Sequence, residues 1–270
     1  MDQIQYDISI IAFFDILGFG KRVQISSPKE IYDLLEIFKY NAKPDADLAQ
    51  MYDQRYMNFS DTFVRTTNIL SEANQKHQVG ILFHELLDLL HIQISLIAKK
   101  IIVRGSVTIG KIYLKDGTIF GPGLNRAYEL EKDLAVYPRI IIDPDVFYIL
   151  EKAPLIKATH HDVAMEQESI KNLICQSADG MWIIDYLKGS SSEFDDLSDY
   201  GDFLKLHKKL IIQNSKSYKN LDKITVKYCW LAKYHNDIIE SFKPKDFNLL
   251  GYSKKTLRIS KKEMSFNYEF

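Results

Sequence analysis

The sequence predicts an α+β fold: a mixed β-sheet with helices on one face, followed by a helical C-terminal part. Three observations predict it. Residues 8 to 17 (ISIIAFFDIL) are an apolar run rich in Ile and Phe, the composition of a strand covered on both faces. Apolar stretches of strand length and amphipathic stretches then follow one another in the order βα-ββ-α-ββ-α-β. After about residue 150 the character changes to two long helical segments preceded by a polar, acidic stretch.

Each element has a local reason. Gly18 ends the first strand, and SSPKEIYDLLEIFKYNA is a helix with Ser27 as N-cap and Pro28 at its first position. RYMNFSDTFVRTT reads as two strands joined tightly at Ser60-Asp61. HQVGILFHELLDLLHIQISLIAKK is a strongly apolar helix. IIVRGSVTIGKIYLKDGTIFG gives two strands, with Asp116-Gly117 as the turn. LNRAYELEKDL is helical, and RIIIDPDVF is a strand that Pro144 ends. Further on, SADGMWIIDYL is a hairpin and strand, and GSSSEFDDLSDYGD an acidic loop. DFLKLHKKLIIQNSKSY and KITVKYCWLAKYHNDIIESF are helices, and the basic tail YSKKTLRISKKEM is expected to be peripheral. There is no internal repeat and no clean linker. The expected organisation is a core over residues 1 to 150, with residues 151 to 270 packed on it.

Composition excludes several classes. Of 270 residues, 46% are apolar and 26% charged, and the net charge is −1, so no global basic field draws nucleic acid or a membrane surface. Cys175 and Cys229 are too few for a disulfide framework, which suits a reducing compartment. MDQIQYD is no signal peptide, and the apolar stretches read as broken by charges before they reach a membrane span. The expectation is a cytoplasmic protein without nucleic-acid or membrane partners.

The chemistry-bearing feature is a pair of acids. FFDILGF sets Asp15 among apolar residues, and NFSDTFV repeats the pattern at Asp61. A buried unpaired carboxylate costs several kcal/mol, so each acid needs a partner or an edge. Two readings are open on spacing alone. Asp15 caps the next segment and Asp61 shapes a hairpin; or the two converge on a divalent cation, with phosphate oxygens completing its shell. The turn Leu17-Gly18-Phe19 suits the second reading, because it presents backbone N–H groups to a triphosphate.

FFDILGF, FSD, RGSVTIG and IFGPGLNRA, in this order and spacing, resemble the catalytic domain of class III nucleotidyl cyclases, which has a ferredoxin-like sheet. Residues 8 to 145 carry the resemblance. It implies two Mg²⁺ or Mn²⁺ ions per site, held at Asp15, Ile16 and Asp61, and an asparagine at Asn125 that contacts the reacting nucleotide. It also implies a head-to-tail homodimer, with metals from one subunit and base and asparagine contacts from the other. Three positions depart from the family. Met57 stands where its purine-reading lysine falls, Thr118 where the partner aspartate falls, and Glu129 where the transition-state arginine falls. Met57 cannot donate to a ring nitrogen, and Thr118 cannot take over a carboxylate's role unchanged.

The wording RGSVTIG, FGPGLNRAYELE, YPRIII, DGMWIIDYL and KYCWLAKYHN is similar to the pyrimidine cyclases of Pycsar antiphage systems, over most of the chain. That likeness implies UTP or CTP as substrate, and cyclic UMP or cyclic CMP as an alarm signal for an effector that acts downstream without stable binding. Tyr56 and Phe120 are available to stack on a one-ring base. Arg104 has two readings: a fork to base carbonyl or phosphate oxygens, or a structural ion pair with Glu129 or Glu131. His84, Asp88 and His91 share a helix face at a spacing that suits zinc, but HEL lacks the second histidine of HExxH. An interface or surface stripe is the better reading. Gly121-Pro122-Gly123 lacks a Walker lysine and reads as a tight approach to Asn125.

Overall fold

The apolar run becomes β1 (Asp7–Ile16), and its composition is explained by its neighbours. In the computed structural model, which describes residues 4–217 and 222–264, β1 lies between β3 (Thr62–Asn68) and β4 (Val103–Lys115), antiparallel to both. β2 (Gln54–Phe59) adds an edge beside β3, while β5 (Thr118–Phe120) folds back on β4. On the other side β6 (Ile140–Ile142) pairs parallel with β4, and β7 (Ile174–Gln176) and β8 (Trp182–Ile184) complete the sheet. The order is β2-β3-β1-β4-β6-β8-β7, a mixed sheet to which the chain beyond residue 150 contributes two strands, β7 and β8.

Between strands run α1 (Phe19–Ile25), α2 (Pro28–Ala42), α3 (Ala46–Tyr52), α4 (Glu72–His77) and α5 (Ile81–Ala98). The predicted caps form: Ser27 and Glu30 make a reciprocal capping box at the start of α2, with Pro28 next. α6 (Pro122–Glu129) passes into a π-turn over Leu130–Leu134. α7 (Pro144–Lys152), α8 (Val163–Lys171), α9 (Leu197–Ser217), α10 (Asp222–Ser241), α11 (Asp246–Leu249) and α12 (Lys254–Leu257) follow.

Side chains alternate along β1 and so divide the interior in two. Ile10, Ala12, Phe14 and Ile16 enter the main core, with residues of α2, α5, α9 and α10. Ile11 and Phe13 point the other way, to Val64 of β3 and Ala127 of α6. The main helical layer therefore covers one face, and α6 covers part of the other.

α6 lies close to β4 because glycines meet. A Cβ on Gly123 would sit 2.4 Å from Ile11 Cδ1, and one on Gly110 would sit 2.8 Å from the Gly123 Cα. Gly123, in the run read as a tight approach to Asn125, is where α6 closes on β1 and β4. Gly123→Ala should push α6 off the sheet and cost about 1–3 kcal/mol, the usual range for overpacking. Urea denaturation checks it, and an unchanged midpoint would show that α6 is not held this way.

Several expectations need correction. α5 is, by length and composition, able to cross a membrane, so charges do not break every apolar stretch first. It packs as a core helix, with Glu85 and Gln93 among its buried residues. Its Glu85 and Asp88 pair with the fully buried Arg65 of β3. The acidic loop is shorter than read: α9 begins at Leu197, where Asp196 accepts from the Ser198 N–H, and Tyr200 is buried with its hydroxyl donating to the Leu187 carbonyl. Residue 218 of that predicted helix lies outside the described residues. The tail is not peripheral, since Leu257, Ile259 and Met264 are buried and Asn236 exchanges two hydrogen bonds with the Ile259 main chain.

A chain of buried imidazoles ties the tail to the helices. His235 Nε2 lies 3.0 Å from the Leu257 carbonyl, which can only accept, so Nε2 carries the proton and Nδ1 is an acceptor. His207 Nδ1, 3.0 Å away, must then donate to it, which leaves His207 Nε2 to accept from the Tyr186 hydroxyl at 2.9 Å. With both rings neutral every link is satisfied, and burial is what disfavours the charged form of either ring. Cys175 and Cys229 are free. Burial, then Asp185, push the Cys175 thiol up to about 12, so it is protonated and unreactive near neutrality.

Candidate active site

The end of β1 and the β2–β3 turn deliver the two aspartates to one place. Asp15 is opposite Thr62 in the β1–β3 ladder, and the Ile16 N–H donates to the Asp61 carbonyl at 3.3 Å. Ser60 takes a positive φ of 54°, which makes the turn tight. Burial raises the Asp61 carboxyl above the usual carboxylate range, with repulsion from Asp15 adding to it. The two carboxyls therefore feel one another's charge.

Arg104 of β4 stands directly opposite Asp15 in the β1–β4 ladder, on the α6 face of the sheet. Its Nε donates to Asp15 Oδ1 and its Nη2 to Oδ2, both at 3.1 Å, a forked pair. Nη2 also lies 2.5 Å from Glu131 Oε1 in the π-turn. The ion-pair reading of Arg104 is the geometry seen, with Glu131 as one partner; Glu129 is exposed. Burial, then the Asp15 carboxylate, push the Glu131 carboxyl up to about 7 against the pull of Arg104.

Sequence reasoning named Glu131 only as a possible partner and passed over Lys227. Glu131 falls four residues after the buried Ala127 and beside the buried Leu130, an acid on an apolar helix face. That is the signal that singled out Asp15. Lys227 of α10 has none. Burial, then Arg104, lower its ammonium below the usual lysine range, while Asp15 and Glu131 oppose the shift. Trp230, one turn further on, stacks on Tyr137 at 5.5 Å and packs against the cluster of Leu130 and Ala135, which holds α10 beside the π-turn.

The remaining predicted residues are spread out. Leu17 is buried and its N–H donates to the Ile102 carbonyl at 2.8 Å, so it is not available to a triphosphate as expected. Gly18, at φ 76°, and Phe19 begin α1. Tyr56 pairs with Arg65 in register and stacks on Phe63 at 5.3 Å, which places it on the face opposite Asp15; Met57, paired with Val64, shares Asp15's face. Phe120 stacks on Tyr113 at 4.9 Å, and Thr118 is exposed beside it. Both lie near the start of β1, about 27 Å from Asp15 by strand length. Tyr56 and Phe120 thus form no common wall within one chain. Asn125 is exposed on α6. Its neighbour Arg126 makes two bonds of 2.8 Å to Asp143, the N-cap of α7, fixing α6 to the sheet. Burial pushes the Asp143 carboxyl up, but the bonds from Arg126 and Thr108 outweigh it and hold it low.

The donor set at Asp15, Asp61 and the Ile16 main-chain carbonyl is oxygen only, which suits a hard cation. Among the described residues no three His, Cys, Asp or Glu side chains are arranged to hold a metal alone. Mg²⁺ and Mn²⁺ accept such sparse sites when phosphate oxygens fill the shell, so the residues fit that ion in company with a nucleotide. The His84–Asp88–His91 stripe does not converge, since Asp88 pairs with Arg65 and His91 lies 2.8 Å from Glu193.

No protein-family model matches the sequence, and no curated protein matches it significantly. Among solved structures, the chain is similar to a bacterial light-regulated adenylyl cyclase at 16% identity and a TM-score of 0.39, over 56% of this chain and 82% of that one. It is similar to the guanylate cyclase domain from Catenaria anguillulae in complex with GTP at 14% identity and a TM-score of 0.39, over 67% and 98%. An adenylate/guanylate cyclase/hydrolase from Silicibacter pomeroyi gives 19% identity and a TM-score of 0.38, over 55% and 82%.

Proposed function

We propose that this chain is a nucleotide cyclase that converts UTP or CTP to 3′,5′-cyclic UMP or cyclic CMP with release of pyrophosphate. The observation that carries the reading is the meeting of Asp15 and Asp61, from separate elements, beside Arg104 at one end of the sheet. The motif order that resembles class III cyclases supports it. Mg²⁺ or Mn²⁺, held by Asp15, Asp61 and the Ile16 carbonyl, would activate the ribose 3′-hydroxyl and neutralise the triphosphate. Asp15 and Asp61 orient the reacting groups, and Asn125 contacts the nucleotide as the α-phosphate is attacked. Positioning and charge supply most of the acceleration in such a reaction. Because Thr118 and Phe120 stand far from Asp15, a head-to-tail homodimer would complete two composite sites. The product would signal to a separate effector in antiphage defence.

Met57 and Thr118 support a pyrimidine base, since a purine would lose both of its family partners. Each buried polar group left unpaired costs about 1–3 kcal/mol. Two such losses give roughly hundredfold discrimination, at about 1.4 kcal/mol per tenfold. The test is incubation of the purified chain with each of the four NTPs and Mn²⁺, with cyclic products resolved by mass spectrometry. Turnover of UTP or CTP about a hundredfold above ATP and GTP is expected. Comparable ATP turnover refutes the pyrimidine reading. A second reading is a nucleotide-binding module without catalysis, favoured by Arg104 across both Asp15 oxygens and by Glu129 at the arginine position. Nucleotide binding with no cyclic product from any NTP selects it.

A further inference from the structure

We propose that Glu131 is a positioning residue for Arg104, which changes partners from Asp15 to Glu131 when a divalent cation takes the Asp15 carboxylate. The inference rests on the reading of Asp15 as a metal ligand. Arg104 covers both Asp15 oxygens at 3.1 Å, with the lone pairs that a hard cation needs. A guanidinium and a dication on one carboxylate repel each other, so Arg104 must yield.

Where it goes is set by its surroundings. Arg104 and Asp15 are fixed opposite one another in the ladder, so the guanidinium turns while the backbone stays. Lys227, on the α10 side, repels it. Asp61 belongs to the same metal pair. Glu131 is the carboxylate left, already 2.5 Å from Nη2 and only 6% exposed. Its place is rigid, because Leu130 next to it is fully buried. A buried cation without a partner is costly. Without the Glu131 charge, Arg104 has no second anion to move to and stays on Asp15, where it competes with the metal.

Mn²⁺ alone is the probe, titrated into the full chain and followed by the paramagnetic resonance of the free ion. Arg104→Met removes the competitor and should bind Mn²⁺ about tenfold more tightly than wild type. Glu131→Gln should bind about tenfold more weakly, the lower end for a lost outer partner. Glu131→Asp, which keeps the charge, should stay nearer wild type than Gln does. The decisive protein is the double variant, expected to match Arg104→Met. A carboxylate that merely adds negative field would weaken Mn²⁺ equally with or without Arg104. Equal weakening in both backgrounds, or weaker binding by Arg104→Met, overturns the exchange. Should the double variant not fold, no gain in Mn²⁺ affinity by Arg104→Met overturns it alone. Wild type that binds no more Mn²⁺ than Asp15→Ala removes the metal reading and this inference together. The expected pattern in a protein that cyclises no NTP leaves the exchange standing and sinks only the cyclase reading.

Discussion

Asp15→Ala and Asp61→Ala are each expected to abolish metal-dependent cyclisation while the chain stays folded. Metal coordination supplies several kcal/mol of charge stabilisation in such reactions, and about 1.4 kcal/mol is a factor of ten, so the loss should be on the order of a thousandfold or more. Stability should hold in both variants, for different reasons. Asp61 is held above its ordinary protonation range, in part by Asp15, so Asp61→Ala relieves repulsion and keeps or raises the urea midpoint. Asp15→Ala removes the fork partner of Arg104, but Glu131 remains in contact, so the guanidinium is not stranded. Near wild-type turnover in purified Asp61→Ala would sink the two-carboxylate assignment. If sites are shared between copies, Asp15→Ala mixed with Asn125→Ala should regain activity, since one of the two sites in each heterodimer is intact. No recovery after verified subunit exchange would count against a composite site.

His207→Ala is expected to cost about 3–5 kcal/mol in urea denaturation at pH 7. It opens a cavity in a fully buried position and leaves the His235 Nδ1 acceptor and the Tyr186 hydroxyl unpaired. A loss below about 1 kcal/mol would show that the relay does not hold the C-terminal helices to the tail. The relay also has a pH signature. Burial holds His235 down at about 4 in the folded chain against 6.5 ordinarily, and His207 is lowered too. Below about 6.5 the unfolded chain takes up a proton that the folded chain refuses. The contribution of His235 is whole above that pH and is lost as pH falls towards 4, on the order of 3 kcal/mol over the window. Glu131 works the other way: raised to about 7, it binds a proton on folding across much of the same window. The acid loss should therefore be steeper in Glu131→Gln than in wild type. Imidazole NMR isolates the relay, and both rings should remain neutral at pH 5.5. Titration of either near 6.5 would contradict the lowering that burial imposes on both rings.

Elements with a local cause were legible. The capping box at Ser27, the turn at Ser60-Asp61, the Asp116-Gly117 hairpin and the stop at Pro144 all depend on residues within a few positions of each other. The sequence pattern does not single out the short helices α1, α3, α4, α7 and α8. They are too brief for the helical period to stand out, and packing rather than propensity holds them. The tail misled for a related reason. Its lysines dominate the composition, yet Leu257 and Ile259 are the residues that dock.

For the site, the sequence by itself determined the two acids, since a carboxylate in an apolar strand is anomalous wherever the strand ends. It also determined the positions at which the chain departs from the cyclase motif pattern it resembles: Met57, Thr118 and Glu129. Only the tertiary structure decided the partners. Strand register set Arg104 against Asp15 and turned Tyr56 to the opposite face, because a shift of one residue reverses a side chain. The π-turn and the packing of Trp230 brought Glu131 and Lys227 to Asp15 from 116 and 212 residues away in sequence. Contacts over such separations leave no local pattern, because the energy that selects them comes from burial and charge in the assembled core.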